Sequence, residues 1–218
     1  MMQVYADPIT INCRKVLAGL ALLDAPHERV HVDYFKSQQK DAAFTSLNPN
    51  ASLPALVDDD LVLWESNAIL QYAADKLGHD SAYPRDLKTR ADINRWLLWE
   101  SWSWFPSCYV YLVENCVKPL LGSSPDLAVL DAQAAQFHKL AGILDARLAG
   151  RKWVATDNPT IADIALAAPM HLHGWACLPI ADHPNLKRWL TESVETLPCW
   201  RTTWVGEGFI TERAALAA

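Results

Sequence analysis

Ser46 to Leu70 reads SLNPNASLPALVDDDLVLWESNAIL. Leu53-Pro54 leads into a short apolar run, Ala55-Leu56-Val57, and an acidic turn at Asp58-Asp59-Asp60 separates it from a second, Leu61-Val62-Leu63. Runs this short, bounded by turn residues, read as the two strands of a buried hairpin. Trp64-Glu65-Ser66 then opens a helical pattern. Ser66 is expected as the N-cap of that helix, where its hydroxyl and the free N–H groups behind it form an anion site. Glu65 stands beside it as a fixed negative charge. The pair matches a ligand group that carries a carboxylate and an ammonium on one carbon, as the free end of an amino acid does.

Upstream of the hairpin, Val4-Tyr5 reads as a first strand. Cys13, Val16, Leu17, Leu20 and Leu23 recur at helical spacing, which predicts an amphipathic helix over about 13–24. Val30 and Val32 alternate with polar neighbours as a second strand, and a short helix is expected near 40–47, ended by Asn48-Pro49. With the helix from Ser66 to Leu77 the order is β-α-β-α-β-β-α, a thioredoxin-like pattern. Gly78-His79-Asp80 ends this unit, residues 1–79, and a polar linker runs through Pro84-Arg85-Asp86. From residue 87 the strand signals vanish. Helices are expected over about 87–117, 126–149, 160–177 and 184–195, with a further C-terminal piece, and Pro106 should kink the first of them. Thr160 and Asp163 have the spacing of a helix-capping pair. The fold class is therefore an α/β thioredoxin-like N-terminal domain plus an all-α C-terminal domain, residues 87–218.

The composition narrows the function. Of the 218 residues 51% are hydrophobic and 20% charged, enough for a sizeable core, and the net charge of −6 argues against a nucleic-acid or anionic-membrane surface. No apolar stretch reaches the roughly 18 residues of a membrane span. Met1 to Tyr5 reads as a strand rather than a signal peptide. Cys13, Cys108, Cys116, Cys177 and Cys199 are odd in number, scattered and without a CxxC pair, which favours reduced thiols and a cytoplasmic location. His171 and His173 diverge on a helix and have no third ligand, so no metal is expected.

The order NP-x-x-x-L-P-A-L, a strand turn, then W-E-S-N-A-I resembles the glutathione-site core of the cytosolic glutathione transferases. The resemblance covers nearly the whole chain and is strongest over 5–16, 39–70 and 153–168. It implies glutathione as co-substrate, a small apolar electrophile as second substrate, and a homodimer. It implies a cis peptide at Leu53–Pro54, with the Leu53 backbone pairing the cysteinyl part of glutathione. Glu65 and Ser66 would hold the γ-glutamyl end and Lys40, beside Gln39, the glycyl carboxylate. Glutathione needs its thiolate stabilised by a donor and a helix N-terminus. Thr10-Ile11-Asn12 delivers a hydroxyl and an amide at that place, and the T-x-N turn resembles a bacterial group of the family. Thr10, which matches the serine position of the serine-type members, is the favoured catalytic candidate with Asn12 in support, and both also suit ordinary helix capping. The chain departs from the family pattern at Ala51, where glycine is usual.

For the second substrate, Trp96, Trp99, Trp102, Trp104, Phe105, Tyr109 and Tyr111 crowd one helix. Positions 99, 102 and 109 fall near one face, with Trp104 and Phe105 pointing elsewhere. The resemblance selects Phe105 and Tyr109. Two other readings stand beside transfer to an electrophile: a glutathione-dependent disulfide reductase or peroxidase, with Cys13 as the competing centre, and a non-catalytic binding protein on the same fold.

Overall fold

The computed structural model describes residues 1–204. Its first part runs β1 (Met2–Ala6), α1 (Ile11–Leu22), β2 (His27–His31), α2 (Ala42–Thr45), β3 (Ala55–Asp58), β4 (Leu61–Trp64) and α3 (Ser66–Leu77). The strands make one sheet in the order β2-β1-β3-β4, with β1 parallel to β2 and antiparallel to β3. This is the expected thioredoxin-like unit, and the Leu53–Pro54 peptide is cis. Val32 falls one residue beyond β2, its N–H donated to Ala6 at 3.3 Å.

Asp58 and Leu61 close the β3–β4 hairpin, and Asp59 turns it at φ 55. Aspartate tolerates that region better than most residues. The Asp58 carboxylate accepts a hydrogen bond from the Tyr72 hydroxyl at 2.6 Å and pairs with Lys76, so the hairpin is tied to α3. On the other side of α3, Gly19 of α1 makes room for Leu70. A Cβ at Gly19 would stand 2.4 Å from a Leu70 methyl carbon.

The second part is helical. α4 (Leu87–Trp99), α5 (Phe105–Leu112) and α6 (Lys118–Leu120) form one continuous path, joined by π-helical turns at Glu100–Trp104 and Val113–Val117. Pro106 and Pro119 each stand two residues past one of these turns. Proline lacks an N–H and crowds the carbonyl four residues back, and a wide turn takes up that mismatch. There follow α7 (Leu127–Leu148), α8 (Ile161–Ala167), α9 (Pro184–Arg188), a π-helical turn at Trp189–Val194, and α10 (Pro198–Thr202). The helix expected over 160–177 stops at Ala167. Pro169 tightens the chain into a 3₁₀ turn, Ala168–Met170, and the chain then turns through Cys177 at φ 52. At the start of α8, Asp163 takes the Thr160 N–H at 2.9 Å. Its second oxygen takes the Val154 N–H at 2.9 Å and the Trp189 indole at 3.1 Å. The C-terminal piece beyond 204 lies outside the described residues. Among the described residues, no helix is long and apolar enough to cross a membrane.

Most of the aromatic segment is core. Trp104 is fully buried, donates its indole N–H to Leu166 at 3.0 Å, and packs between Trp99 and Phe137. α1 is enclosed as well. It lies between the sheet and the helical part, and even Arg14 and Lys15 have almost no exposed surface.

Two stability effects follow. Ala51 sits at φ 51, a region that L-residues other than Asn and Asp rarely adopt. Ala51→Gly should raise the unfolding free energy by about 0.5–1 kcal/mol in denaturant titration, the backbone relief exceeding the added entropy of the unfolded chain. His171 is buried, and burial, with the Arg14 charge nearby, lowers its pKa to about 3. The unfolded chain protonates at about 6.5, so this group's contribution is present above that pH and is lost as pH falls toward the folded value. Between about pH 7.5 and pH 5, wild type should lose roughly 2 kcal/mol more than His171→Phe, at ~1.4 kcal/mol per pH unit.

Candidate functional site

The segment between β1 and α1 is held by Asp7. Its buried carboxylate accepts the N–H groups of Ile9 at 3.3 Å and Tyr34 at 3.0 Å. The Asp7 carbonyl accepts the Thr10 N–H at 3.1 Å and the Thr10 hydroxyl at 3.0 Å. α1 begins at Ile11, two residues earlier than its apolar spacing suggested, so Thr10 takes the N-cap position and Asn12 the first turn. The Thr10 hydroxyl makes no capping bond.

Thr10 and Asn12 open onto a cavity of about 460 Å³. Lys40, Leu53, Phe105 and Tyr109 line the same cavity, so six of the expected residues meet there. Its polar end adds Gln39, which is buried with its side-chain oxygen unpartnered. Lys40 is exposed and makes no ion pair among the described residues. Leu53 is presented by a clamp on the preceding loop. Asn48 donates to the Ser52 carbonyl at 2.7 Å and accepts the Asn50 N–H at 3.0 Å. No hydrogen bond among the described residues takes up the backbone groups of Leu53. Pro54 is buried and does not line the cavity.

The apolar end is walled by Phe105 and Tyr109, stacked with ring centroids 5.4 Å apart. The face expected to unite Trp99, Trp102 and Tyr109 does not exist, because the π-helical turn at Glu100–Trp104 shifts the register between them. Trp102 points to solvent, 87% exposed, while Phe105 joins Tyr109 one helical turn along α5. Burial raises the Tyr109 pKa, with Tyr34 adding to it, so this hydroxyl stays protonated at neutral pH.

Glu65 and Ser66 stand at the start of α3, outside the cavity lining but joined to it through Asn12. The Ser66 hydroxyl donates to Asn12 Oδ1 at 3.3 Å. Ser66 is not the N-cap. The reversal from β4 into α3 is so tight that Glu65 takes the cap position at φ 73, and Ser66 becomes the first helical residue. Glu65 is exposed; Ser66 is buried. The Ser66 oxygen accepts a hydrogen bond from Lys15 Nζ at 3.1 Å, and Lys15 pairs with Glu100 at 2.7 Å, both side chains buried. Asn67 donates to the same Glu100 oxygen at 3.0 Å.

Cys13 is fully buried, and burial outweighs the nearby Thr10 in pushing its thiol up to about 12. A thiol that stays protonated cannot serve as a redox nucleophile. His173 pairs with Glu195 at 3.1 Å, away from the buried His171 nitrogen, which has no partner. Among the described residues no group of three or more His, Cys, Asp or Glu is placed to hold a metal ion.

Sequence reasoning missed Asp7, Asn48, Lys15 and Glu100. Asp7 and Asn48 carried a weak signal, since each precedes a proline in a loop that must bend. Arg14-Lys15 carried a stronger one: two adjacent cations interrupt a helix that is otherwise apolar from Cys13 to Leu23.

Residues 2–75 match the family described as glutathione S-transferase, N-terminal domain, and residues 115–196 match glutathione S-transferase, C-terminal domain. Glutathione S-transferase 3 of Zea mays is 32% identical over 93% of this chain and 92% of its own length. Glutathione S-transferase GstB of Escherichia coli strain K12 is 31% identical over 89% of this chain and 94% of its own. Among solved structures, glutathione transferase F7 from Populus trichocarpa superposes with a TM-score of 0.85 at 29% identity, covering 93% of this chain and 97% of that one.

The buried pair supplies a test of the site's framework. Lys15→Met leaves Glu100 buried without its counter-charge and should cost about 3–5 kcal/mol in chemical denaturation. Replacing Glu100 with Met as well should recover a large part of that loss, since no uncompensated charge then remains.

Proposed function

Because this chain belongs to the glutathione S-transferase family, and is a glutathione transferase with glutathione as co-substrate, we propose that it joins the glutathione thiolate to small apolar electrophiles in the cavity between α1 and α5. The observation that carries this reading is the make-up of that cavity. One end offers a helix N-terminus, Thr10, Asn12, Lys40 and the unpaired Leu53 backbone; the other is the Phe105–Tyr109 wall. A polar tripeptide and an apolar carbon centre would each find matching surface there. The unit of residues 1–79 would hold glutathione and that of residues 87–218 would shape the electrophile side.

Glu65 would pair with the γ-glutamyl ammonium, and the start of α3 with Ser66 would take the adjacent carboxylate. Leu53 would exchange backbone hydrogen bonds with the cysteinyl residue. Lys40 would face the glycyl carboxylate, with the Gln39 amide beside it. The thiol then lies toward the first turn of α1. Its proton goes to solvent, the sulfur lone pair attacks the electrophilic carbon, a C–S bond forms, and the leaving group departs with its bonding pair. The α1 N-terminus and a side-chain donor lower the energy of the thiolate. Two donors are at hand. The Thr10 hydroxyl is spent on the Asp7 carbonyl, whereas the Asn12 amide nitrogen makes no hydrogen bond among the described residues.

The homodimer belongs to the same proposal, with α3 and α4 as contact surfaces. Leu98 in the last turn of α4 and Trp102 in the π-helical turn after it are 72% and 87% exposed, apolar surface that such a contact would cover. A cytoplasmic setting is supported by the five cysteines, all free thiols. The buried, protonated Cys13 speaks against disulfide reduction as the main activity.

Glutathione binding by calorimetry should weaken in Glu65→Ala and in Ser66→Ala; unchanged affinity in both would overturn the assignment. One hydrogen bond to the thiolate is worth roughly 1.5–3 kcal/mol, so loss of the donor should lower kcat/KM for an aryl halide about 10- to 100-fold. That loss is expected in Asn12→Ala, with a smaller one in Thr10→Ala and none in Thr10→Ser. Full activity in the Thr10→Ala, Asn12→Ala double variant would leave backbone N–H groups as the donors.

A further inference from the structure

A second cavity, of about 430 Å³, lies beside the substrate cavity. Leu172 and Trp175 line both, so the turn that carries them, residues 171–177, is the wall between the two. That turn is fixed by its backbone. Ala176 donates to the Leu172 carbonyl at 2.8 Å and Leu178 to the His173 carbonyl at 3.0 Å. Asn115, from the π-helical turn after α5, donates to the Ala176 carbonyl at 2.8 Å. The Trp175 ring is only half-buried, and among the described residues it stacks on no other ring and its N–H has no hydrogen-bond partner. The wall's position therefore does not depend on the indole, while its closure does.

We propose that Trp175 determines specificity by length: its ring closes the apolar end of the substrate cavity, and the second cavity is the room that a longer electrophile would need. This inference rests on the glutathione transferase reading above. The polar end of the first cavity is taken by glutathione, so an electrophile has the space left between α5, the chain that follows it to Leu120, and Trp175. A compact aryl group fits against the Phe105–Tyr109 wall. An elongated aryl-alkyl electrophile runs into the indole. Beyond it, the half-buried Trp204 and the edge of the buried Trp200 line the second cavity and give a tail apolar contact, together with Arg201 and the His173–Glu195 pair. Removing the ring joins the two spaces without deleting any of the hydrogen bonds that hold the turn.

The test is a series of 4-alkyl-substituted benzyl halides, from methyl to octyl, with saturating glutathione. Each turnover forms one C–S bond, expels halide with its bonding pair and releases the thiol proton to solvent, so a single halide assay serves the whole series. In wild type kcat/KM should fall steeply once the alkyl chain outgrows the first cavity. In Trp175→Ala the octyl-to-methyl ratio of kcat/KM should rise at least tenfold, mainly through KM for the long members. Trp175→Phe should shift the ratio in the same direction by less, and it carries the test should the alanine variant fail to fold. Wild-type turnover with the same length profile in both variants, or a uniform loss across the series, would overturn the inference and leave the transferase reading standing. Absence of turnover with every member in wild type would overturn both.

Discussion

Arg14 and Lys15 are adjacent cations with almost no water around them, and the way they are satisfied sets the relation between the two parts of the molecule. Successive helical residues point about 100° apart, so two neighbouring charges cannot share one partner. Lys15 reaches Glu100 in the π-helical turn after α4 and Ser66 at the start of α3. Arg14 reaches the other way, donating to the Trp200 carbonyl and the Thr203 hydroxyl at α10 and lying over the Trp200 ring at 4.4 Å. Burial lowers the Arg14 pKa only to about 10, so it remains a cation at neutral pH. Helix α1 is thus pinned at two points of the helical part, by the Lys15–Glu100 ion pair and by the hydrogen bonds and ring contact of Arg14.

This pinning bears on the site because α1 is also the element whose N-terminus faces the cavity. Any shift of α1 relative to α3 would break the contact from Lys15 to Ser66 and, through Ser66, the contact to Asn12. The proposed γ-glutamyl end and the proposed thiol end are therefore positioned by one network rather than by two independent loops. Lys15 also fixes the role of Ser66. With one lone pair of the oxygen taken by the ammonium, the hydroxyl proton is turned to Asn12 Oδ1, so Ser66 is the link between the start of α3 and the first turn of α1. Such preorganisation lowers the entropy lost on binding.

The fold was largely legible in the sequence, because its signals are local. Short apolar runs around Asp58–Asp60, the Leu53-Pro54 pair and the loss of strand signals after residue 86 each depend on neighbours in the chain. The cavity residues Thr10, Asn12, Lys40 and Leu53 were reached through resemblance, and the cavity does unite them. What stayed hidden depends on partners far away in sequence. Lys15 and Glu100 are 85 residues apart, and nothing local to either says that both are buried. The cap at Ser66 was misplaced because the backbone reversal at Glu65 is not encoded by a glycine. The aromatic face was misread because periodicity assumes a constant helical pitch, and the turn at Glu100–Trp104 breaks it. The long helix expected over 160–177 failed for a related reason: apolar spacing continued past Pro169 while the backbone did not.

The conformation of Glu65 has a consequence for how this chain could change. A non-glycine residue at φ 73 stores strain of order 1–3 kcal/mol, and glycine would relieve most of it. Thermal selection acting alone on a mutant library would therefore enrich glycine at 65. Selection for ligand retention would restore the carboxylate. The residue recovered at this one position would report which pressure a lineage had experienced, and a stabilised variant that carries glycine there would have exchanged recognition for endurance.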